Sequence, residues 1–252
     1  MSLVSGRGNG HGTSCELCPL RKRESLREFN AEELAYVKEF KVDELRVDPG
    51  ASFLREGTRS EHLYTVLSGW AFRYKMLDDG RRQILNYALP ADMVGLQGAL
   101  MREMEHSVEA LTPLTLCVFP RAKMWDLYSR VPSLAFDITW LAAREEQLID
   151  QPLLSVGRRS ALERTAYLLL HLFVRAQEAG MVKDNTIQFP FTQQHLADTL
   201  GMSLVHTNKT LKRLLQSNAV RWKDRVFELV DRASLVEIAG EDVKTSRPRP
   251  YI

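Results

Sequence analysis

The spacing of apolar residues divides this chain into a stretch of short alternating runs and stretches of helical periodicity. Between Val42 and Pro120, apolar and polar residues alternate in short runs that are separated by glycines and by the turn signal Asp78-Asp79-Gly80. A period of two predicts β-strands, and many short strands joined by turns predict an antiparallel barrel or jelly roll. Such a barrel either encloses a ligand or is filled by side chains. The strand candidates are Phe53–Gly57, Leu63–Ser68, Trp70–Leu77, Gln83–Ala88 and Leu114–Phe119.

Helical periodicity flanks this stretch on both sides. Leu26–Lys41 predicts a helix capped by Asn30, and Met124–Arg130 predicts a short helix. A longer helical pattern opens at Pro132, and we expect Pro152 to kink or interrupt it and Gly157 to mark a further break. Helical periodicity then resumes over Ser160–Gly180.

The long pattern that opens at Pro132 carries an apolar stripe with residues three or four apart. We expect nothing later in the sequence to cover this stripe, which favours a dimerisation helix and a homodimer. A helix packed back on its own barrel is the alternative. The stripe consists of Leu134, Ile138, Leu141 and Leu148.

The segment Thr192–Arg213 predicts two short helices joined by a tight turn. Thr192 can cap the first helix, but His195 stands where a capping box has Glu or Gln, so we expect no capping box. Gly201 ends the first helix at a position that favours positive φ. Ser203 then caps the second helix, whose inward face consists of Thr207, Leu211 and Leu214.

The opposite face of the second helix is rich in hydrogen-bond donors and positive charge. Such a face, on a helix held at a fixed angle, fits a DNA major groove. A hairpin with a basic tip follows, formed by the residues around Lys223 and Arg225, which favours a winged helix-turn-helix over an ordinary helical hairpin with a solvated face. We expect Val205, Asn208 and Lys209 to contact bases. The other candidate DNA-binding residues are Ser203, His206, Lys212, Arg213, Lys223 and Arg225.

Composition and charge narrow the choice of function. A chain of 252 residues can hold two domains, and its net charge of +2 means that nucleic-acid affinity must come from a local patch. There is no signal-peptide pattern and no apolar run of membrane-spanning length, so we expect a cytoplasmic protein. The sequence shows no Ser/His/Asp order, phosphate-binding glycine loop or suitably paired carboxylates, so we do not expect an enzyme.

The three cysteines are too few for a paired disulfide framework and are better interpreted as thiols or ligands. The two-residue gap between Cys15 and Cys18 allows both to bind one metal ion or cluster, or to form a redox pair. Cys117 lies in the last predicted strand.

A β-barrel, a long helix and a winged helix-turn-helix, in this order, resemble the CRP/FNR superfamily of bacterial transcription regulators. The segments that carry the resemblance are Leu67-Ser68-Gly69, the run from Leu89 to Gly95, and Phe191–Leu214. The resemblance implies an α+β fold with a cyclic-nucleotide-binding-like jelly roll, a dimerisation helix and a C-terminal winged helix-turn-helix. It also implies an activator that binds double-stranded palindromic operators as a homodimer and contacts RNA polymerase.

With this resemblance, the chain divides into five predicted regions. Residues 1–24 form a flexible segment with the two neighbouring cysteines, and 25–120 form a sensor domain. Residues 121–156 contain the dimerisation helix, 157–239 the DNA-binding domain, and 240–252 a disordered tail.

The resemblance argues against cyclic AMP as the ligand. The family's cyclic-nucleotide binders use a glutamate for the ribose and an Arg-Ser pair for the phosphate, and the matching positions here are Leu96 and His106-Ser107. A leucine cannot accept a hydrogen bond from a ribose hydroxyl, and a neutral imidazole is a poor substitute for a bidentate guanidinium.

The oxygen-sensing branch of the family holds a [4Fe–4S] cluster on four cysteines. Cys15, Cys18 and Cys117 match three of these ligands, and the remaining position falls at Glu24, whose carboxylate is a harder ligand than a thiolate. Three interpretations stay open: a cluster, a zinc site that His11 could join, or a buried strand thiol with a remnant N-terminal pair.

Two functions are therefore compared. The first is a sequence-specific DNA-binding transcription regulator under the control of an N-terminal sensor that responds to oxygen or redox state. The alternative is a metal or redox sensor that acts through protein partners, with the helical hairpin in a purely structural role.

Overall fold

The computed structural model describes residues 12–244 and 248–252 and divides them into two compact units. The first unit contains residues 12–75, 87–146 and 248–252, and the second contains residues 76–86 and 147–244. The proposed zinc ligand His11 lies outside the described residues.

The first unit opens with a helix whose start is set by a capping box. Asn30 accepts a hydrogen bond from the backbone N–H of Glu33, and the Glu33 carboxylate accepts one from the backbone N–H of Asn30, both at 2.9 Å. These bonds satisfy backbone groups that the first turn leaves free. The predicted Asn30 cap is therefore confirmed, and the helix is α1, Ala31–Phe40.

Two four-stranded antiparallel sheets form the barrel, as the alternating pattern predicts. One sheet has the order β1-β8-β3-β6 and the other β2-β7-β4-β5. Alternate residues of both sheets, such as Val66, Val108 and Leu116, are fully buried in one shared core. The strands are β1 Asp43–Val47, β2 Ser52–Leu54, β3 His62–Ser68, β4 Ala71–Met76, β5 Arg82–Ala88, β6 Met93–Val94, β7 Ser107–Ala110 and β8 Leu114–Pro120, with helix α2, Leu96–Met101, between β6 and β7.

A second core lies between α1, the outer side of the barrel and the helices that follow it. These helices are α3, Met124–Arg130, and α4, Pro132–Arg158. The α4 residues Leu134, Ile138 and Leu141 are at most 4% exposed in this core, and Leu148 is half-buried. The expectation that this stripe has no partner within the chain is therefore wrong, because the barrel side of the first unit covers three of its four residues.

Helix α4 continues through Pro152, which corrects the expected interruption. Proline removes one N–H from the helix, but the turns on both sides keep their own hydrogen bonds in this 27-residue helix. Other apolar residues of α4 are exposed. They include Phe136, 68% exposed, and Leu153, 71% exposed.

The second unit is built on a central helix and a small sheet. Ser160 and Glu163 form the capping box of α5, Ala161–Glu178, which confirms the predicted helix. Leu169, Phe173 and Phe227 are buried in this unit. The remaining elements are β9 Thr186–Gln188, α6 Gln193–Leu200, α7 Leu204–Gln216, β10 Val220–Lys223, β11 Val226–Leu229 and α8 Arg232–Ala239, with the sheet order β10-β11-β9.

Two segments that the sequence predicts to be flexible are ordered where the structure describes them. Residues Cys15–Leu17 and Pro19–Lys22 form short 3-10 helices, and Leu20 is 1% exposed. Of the predicted disordered tail, Arg249, Tyr251 and Ile252 are buried in the first unit, so the prediction is wrong for residues 248–252. Across the described residues, no helix combines the length and apolar character needed to cross a membrane.

Candidate nucleic-acid interface and cysteine site

Helices α6 and α7 form the predicted helix-turn-helix, and the start of α6 is held by a capping box. Thr192 Oγ1 accepts from the His195 backbone N–H at 3.2 Å, and the Thr192 backbone N–H donates to His195 Nδ1 at 3.1 Å. The expected absence of this box is therefore wrong. Burial, with a contribution from Arg82, lowers the pKa of His195. The neutral imidazole that results can accept a hydrogen bond in place of Glu or Gln.

The turn and the start of α7 follow the sequence prediction. Gly201 ends α6 with φ of 62°, and the Ser203 hydroxyl accepts from the backbone N–H of His206 at 3.2 Å. The positive φ of Gly201 ends α6, and the Ser203 hydroxyl satisfies a backbone N–H in the first turn of α7. Thr207, Leu211 and Leu214 are buried as predicted, together with Thr210.

The outer face of α7, with the wing described below, forms a basic surface. Leu204–Gln216 contains no Asp or Glu. Ser203, Val205, His206, Lys209, Lys212 and Arg213 are all exposed.

None of the cationic groups of Lys209, Lys212 and Arg213 forms an ion pair with the described residues. Unpaired cations on a rigid helix can meet phosphates or base edges without breaking an existing bond.

Asn208 differs from the other predicted base-contacting residues. It lies at the edge of the outer face and is half-buried, and its Oδ1 atom is buried without a hydrogen-bond partner among the described residues. Bidentate pairing with adenine needs both amide atoms at the groove surface. In the described conformation, Val205 and Lys209 are better placed than Asn208 for base contacts.

The predicted wing is present as a hairpin in which a two-residue turn joins β10 to β11. Its central residues, Asp224 and Arg225, have φ of 50° and 67°. Two consecutive positive φ values define a type I′ turn, whose twist matches the strands it joins. The turn leaves Lys223 and Arg225 exposed at the tip.

Three polar contacts that sequence reasoning missed hold α6 in place. Arg82 pairs with Asp198 at 2.9 Å, the Gln83 amide donates to the Thr199 carbonyl at 3.0 Å, and Arg164 donates to the Leu200 carbonyl at 3.0 Å. The last two bonds satisfy carbonyls at the end of α6. No local sequence signal marks them, since their partners lie far apart in the chain.

The three cysteines come together in the first unit. Cys15 is the first residue of the first 3-10 helix, Cys18 directly follows that helix, and Cys117 lies on β8. All three line one cavity of about 20 Å³ together with Lys41 and Tyr251. Glu24 is exposed and does not line this cavity. The proposed fourth-ligand position is therefore not part of the site in this arrangement.

The cysteine cavity does not fit an iron–sulfur cluster as it stands. Its volume is close to that of a single water molecule. Burial raises the pKa of Cys15 and raises the pKa of Cys117 to about 12, so both favour the thiol over the thiolate that metals bind. Within residues 12–244 and 248–252, no three His, Cys, Asp or Glu side chains are arranged to hold a metal ion.

Leu96 and His106, at positions matched to the cyclic-nucleotide-binding residues, are buried in the same unit. Leu96 is 2% exposed, and His106 is buried with its pKa lowered to about 4 by burial and by the nearby Arg73. The buried Arg73 is paired with Glu145 at 2.9 Å. The Glu145 carboxylate is therefore already paired with the Arg73 guanidinium, which could otherwise bind a phosphate.

Known proteins resemble both units. Residues 44–131 match the cyclic nucleotide-binding domain family, and residues 163–238 match the Crp-like helix-turn-helix domain. The nitrogen fixation regulation protein FixK of Bradyrhizobium diazoefficiens is 31% identical over 95% of this chain and 98% of its own. The transcriptional activator protein FnrL of Cereibacter sphaeroides is 27% identical over 90% and 92%.

A solved structure shows the same fold. FixK2 from Bradyrhizobium japonicum superposes with a TM-score of 0.71, covers 81% of this chain and 98% of its own, and is 23% identical. The order of domains, the helix-turn-helix geometry and the full-length similarity agree. The chain belongs to the CRP/FNR family of transcription activators, with a DNA-binding helix-turn-helix domain and no enzymatic role.

Proposed function

We propose that this activator binds palindromic DNA as a homodimer, with α7 of each protomer in a major groove. The observation that carries the proposal is the basic surface, in which Lys209, Lys212 and Arg213 have no ion-pair partners among the described residues and no acidic neighbours on α7. Two protomers related by a two-fold axis bind a palindromic site, whose half-sites on one face of DNA lie roughly 34–36 Å apart.

We assign the contacts within the basic surface by position. Val205 and Lys209, in the first turns of α7, contact base edges: valine packs on a thymine methyl and lysine donates to guanine. His206, Lys212 and Arg213 flank them and hold phosphates, as do Lys223 and Arg225 of the wing. Asn208 reads a base only if its half-buried amide turns outward, so its contribution is smaller.

A selection of binding sites from random DNA tests this assignment. Wild-type protein should enrich a palindrome, and Lys209→Ala should lose the preference at one symmetric pair of positions. An unchanged palindrome with Lys209→Ala would show that this face does not read bases. Enrichment of no sequence by the wild type would contradict sequence-specific binding itself.

The homodimer is proposed through the exposed side of α4. Leu134, Ile138 and Leu141 are committed to the chain's own core, so they are not free for a partner. Leu153 is more than two-thirds exposed, and Ile149 and Val156, four residues before it and three after it on the same helix face, are also exposed. A second copy of α4 would remove this apolar surface from water. Sedimentation equilibrium of the wild-type protein measures the oligomeric state directly.

The first unit is proposed as the sensor domain, and RNA polymerase as the partner through which activation occurs. The closed positions of Leu96 and His106 support a signal other than cyclic AMP. The signal is proposed to act at the cysteine cavity, as oxygen, redox state or metal availability. Binding of a cluster or zinc there requires the cavity to open and the thiols to ionise.

Anaerobic purification followed by visible spectroscopy and iron and zinc analysis tests this sensing proposal. A cluster gives a brown protein, and Cys117→Ser should bleach it. Zinc that is lost when Cys15 or Cys18 alone is replaced would identify a zinc site. Colourless protein without iron or zinc after reconstitution would exclude both metal sites. The signal would then have to act by oxidation of the cysteine thiols themselves.

A further inference from the structure

Residues 248–252 are bound to the first unit in the manner of a peptide ligand. Arg249 forms one backbone bridge: its N–H donates to the Ser25 carbonyl and its carbonyl accepts from the Arg27 N–H, both at 2.9 Å. Its guanidinium is buried, donating to the Ala91 carbonyl at 3.0 Å and pairing with Asp92 at 2.9 Å. A buried arginine needs such partners, since an unpaired buried charge is strongly unfavourable.

The pocket that holds Arg249 is preorganised by the chain around it. Ala91 has φ of 75°, an uncommon conformation for a residue with a Cβ, and its carbonyl accepts from the arginine. Asp92 uses its second carboxylate oxygen to accept from the Leu89 N–H at 2.8 Å. Strained backbone and fixed carboxylates of this kind are frequent where a protein clamps a ligand.

The two residues after Pro250 supply the apolar part of the contact. Tyr251 is 3% exposed and packs on Phe29 with ring centroids 4.7 Å apart. Ile252 is 4% exposed, and its carbonyl accepts from the Thr65 hydroxyl. One charged side chain, two apolar anchors and a few backbone bonds are the usual components of peptide recognition.

The bound segment closes the cysteine cavity. Tyr251 and Ile252 line the same cavity as Cys15, Cys18 and Cys117. Thr65, which holds Ile252, is the strand partner of Cys117 in the β3–β8 pairing. The segment therefore reaches the cysteines from the side of the barrel, and its two last side chains fill space beside them.

We propose that the first unit contains a peptide-binding site for an Arg-Pro-aromatic-aliphatic sequence, that the chain's own residues 249–252 occupy it, and that this occupancy shields Cys117. Cys117 then reacts only when the segment leaves. The inference concerns the first unit alone, so it stands whether or not the DNA contacts are as assigned above.

Thiol reactivity of the full chain tests the shielding. A chromogenic aromatic disulfide should modify Cys117 slowly in the wild type, with the site of modification followed by mass spectrometry. Tyr251→Ala should raise the Cys117 rate by about tenfold or more, since local opening limits the reaction of a buried group. Tyr251→Phe is the matched control: the Tyr251 hydroxyl has no hydrogen-bond partner within residues 12–244 and 248–252, so its removal should leave the rate within about twofold.

A second experiment asks whether the site binds the segment in trans. The chain without residues 247–252 is mixed with the synthetic peptide Arg-Pro-Arg-Pro-Tyr-Ile, and with the same peptide carrying alanine at the position of Arg249. The first peptide should restore slow modification of Cys117, and the second should not. An unfolded chain would respond to neither peptide.

Two results would overturn the inference. One is an unchanged Cys117 rate in Tyr251→Ala, or an equal rise in Tyr251→Phe. The other is a truncated chain that keeps the far-UV circular dichroism of the wild type and whose Cys117 neither peptide protects, or both protect alike. Loss of DNA binding in the Lys209 variant would change none of these rates, so failure here is distinguishable from failure of the DNA-binding assignment.

Discussion

The basic surface and the cysteine cavity differ in how far their functional side chains are exposed to solvent. On α7 and the wing, the charged side chains are exposed, and Lys209, Lys212 and Arg213 have no ion-pair partners among the described residues. In the first unit, Cys117 and His106 are buried and neutral, and residues of the same chain cover them. The first arrangement can bind a polyanion without rearrangement. The second must open before its groups can take part in chemistry.

The largest expected loss of operator affinity comes from losing the second protomer of the dimer and not from losing a single DNA contact. Leu153→Glu places a charge on the exposed apolar side of α4, so we expect a folded monomer. Losing the second half-site should weaken operator binding by roughly 10²–10⁴-fold. Sedimentation equilibrium and fluorescence anisotropy with operator DNA measure the two effects.

Leu77→Glu is the control for this experiment, because Leu77 is an exposed leucine outside α4. It should leave both the oligomeric state and the affinity near those of the wild type. A Leu153→Glu protein that remains a dimer with full affinity would exclude this side of α4 as the interface.

The next largest effect is a pH dependence of the stability of the first unit. Burial and the neighbouring Arg73 and Lys75 lower the pKa of His106 from 6.5 to about 4. Between these values the unfolded chain binds a proton that the folded chain does not, so stability should fall as the pH falls from 6.5 to about 4. The full loss is about 3 kcal/mol.

Urea unfolding at a series of pH values measures this loss. His106→Gln removes the titrating group and should flatten the dependence across this range. The exposed His206, changed to Gln, is the control and should leave the slope intact. Identical slopes in wild type and His106→Gln would show that the buried imidazole is not the source.

A smaller effect is expected for one of the base contacts proposed on α7, that of Lys209. Lys209→Ala should cost about 1–3 kcal/mol in operator binding and relax one position in each half-site. Asn208→Ala, at the half-buried edge of the same face, should cost less. Binding isotherms on the selected palindrome and on its single-base variants compare the two, and a larger loss for Asn208→Ala would reverse the assignment.

The smallest effect is expected for the phosphate contacts. Lys212→Ala should weaken binding to all sequences alike and lower the salt slope by about one per lost contact in each subunit. Lys38→Ala removes an exposed lysine from α1 and should not change the slope. A sequence-dependent loss in Lys212→Ala would place this residue at the bases instead.

Local rules account for much of the fold. Asn30, Thr192, Ser203 and Gly201 act at helix ends as predicted, because caps and positive φ depend on neighbours within a few residues. The inward residues of α7 follow from its 3.6-residue period for the same reason. His195 was the exception, since the loss of its charge depends on burial and on Arg82, which lies far away in the chain.

Other predictions depended on distant partners and failed. The stripe on α4 has the correct period, but a period cannot tell a partner protomer from the chain's own barrel. Residues 240–252 contain two prolines and mixed charge, a composition that favours disorder, but residues 248–252 are ordered. Arg249 is nevertheless held by Ala91 and Asp92, more than 150 residues away along the chain.

Local periodicity and residue type are sufficient to predict the order of domains, the helix-turn-helix with its wing and the positive charge of α7. Long-range packing establishes that Leu134, Ile138 and Leu141 are covered, that Asn208 is half-buried, and that Tyr251 and Ile252 pack beside Cys117. The physical reason is that burial, pKa and pairing depend on which surfaces meet when the chain folds. Residues that are distant in sequence supply those surfaces.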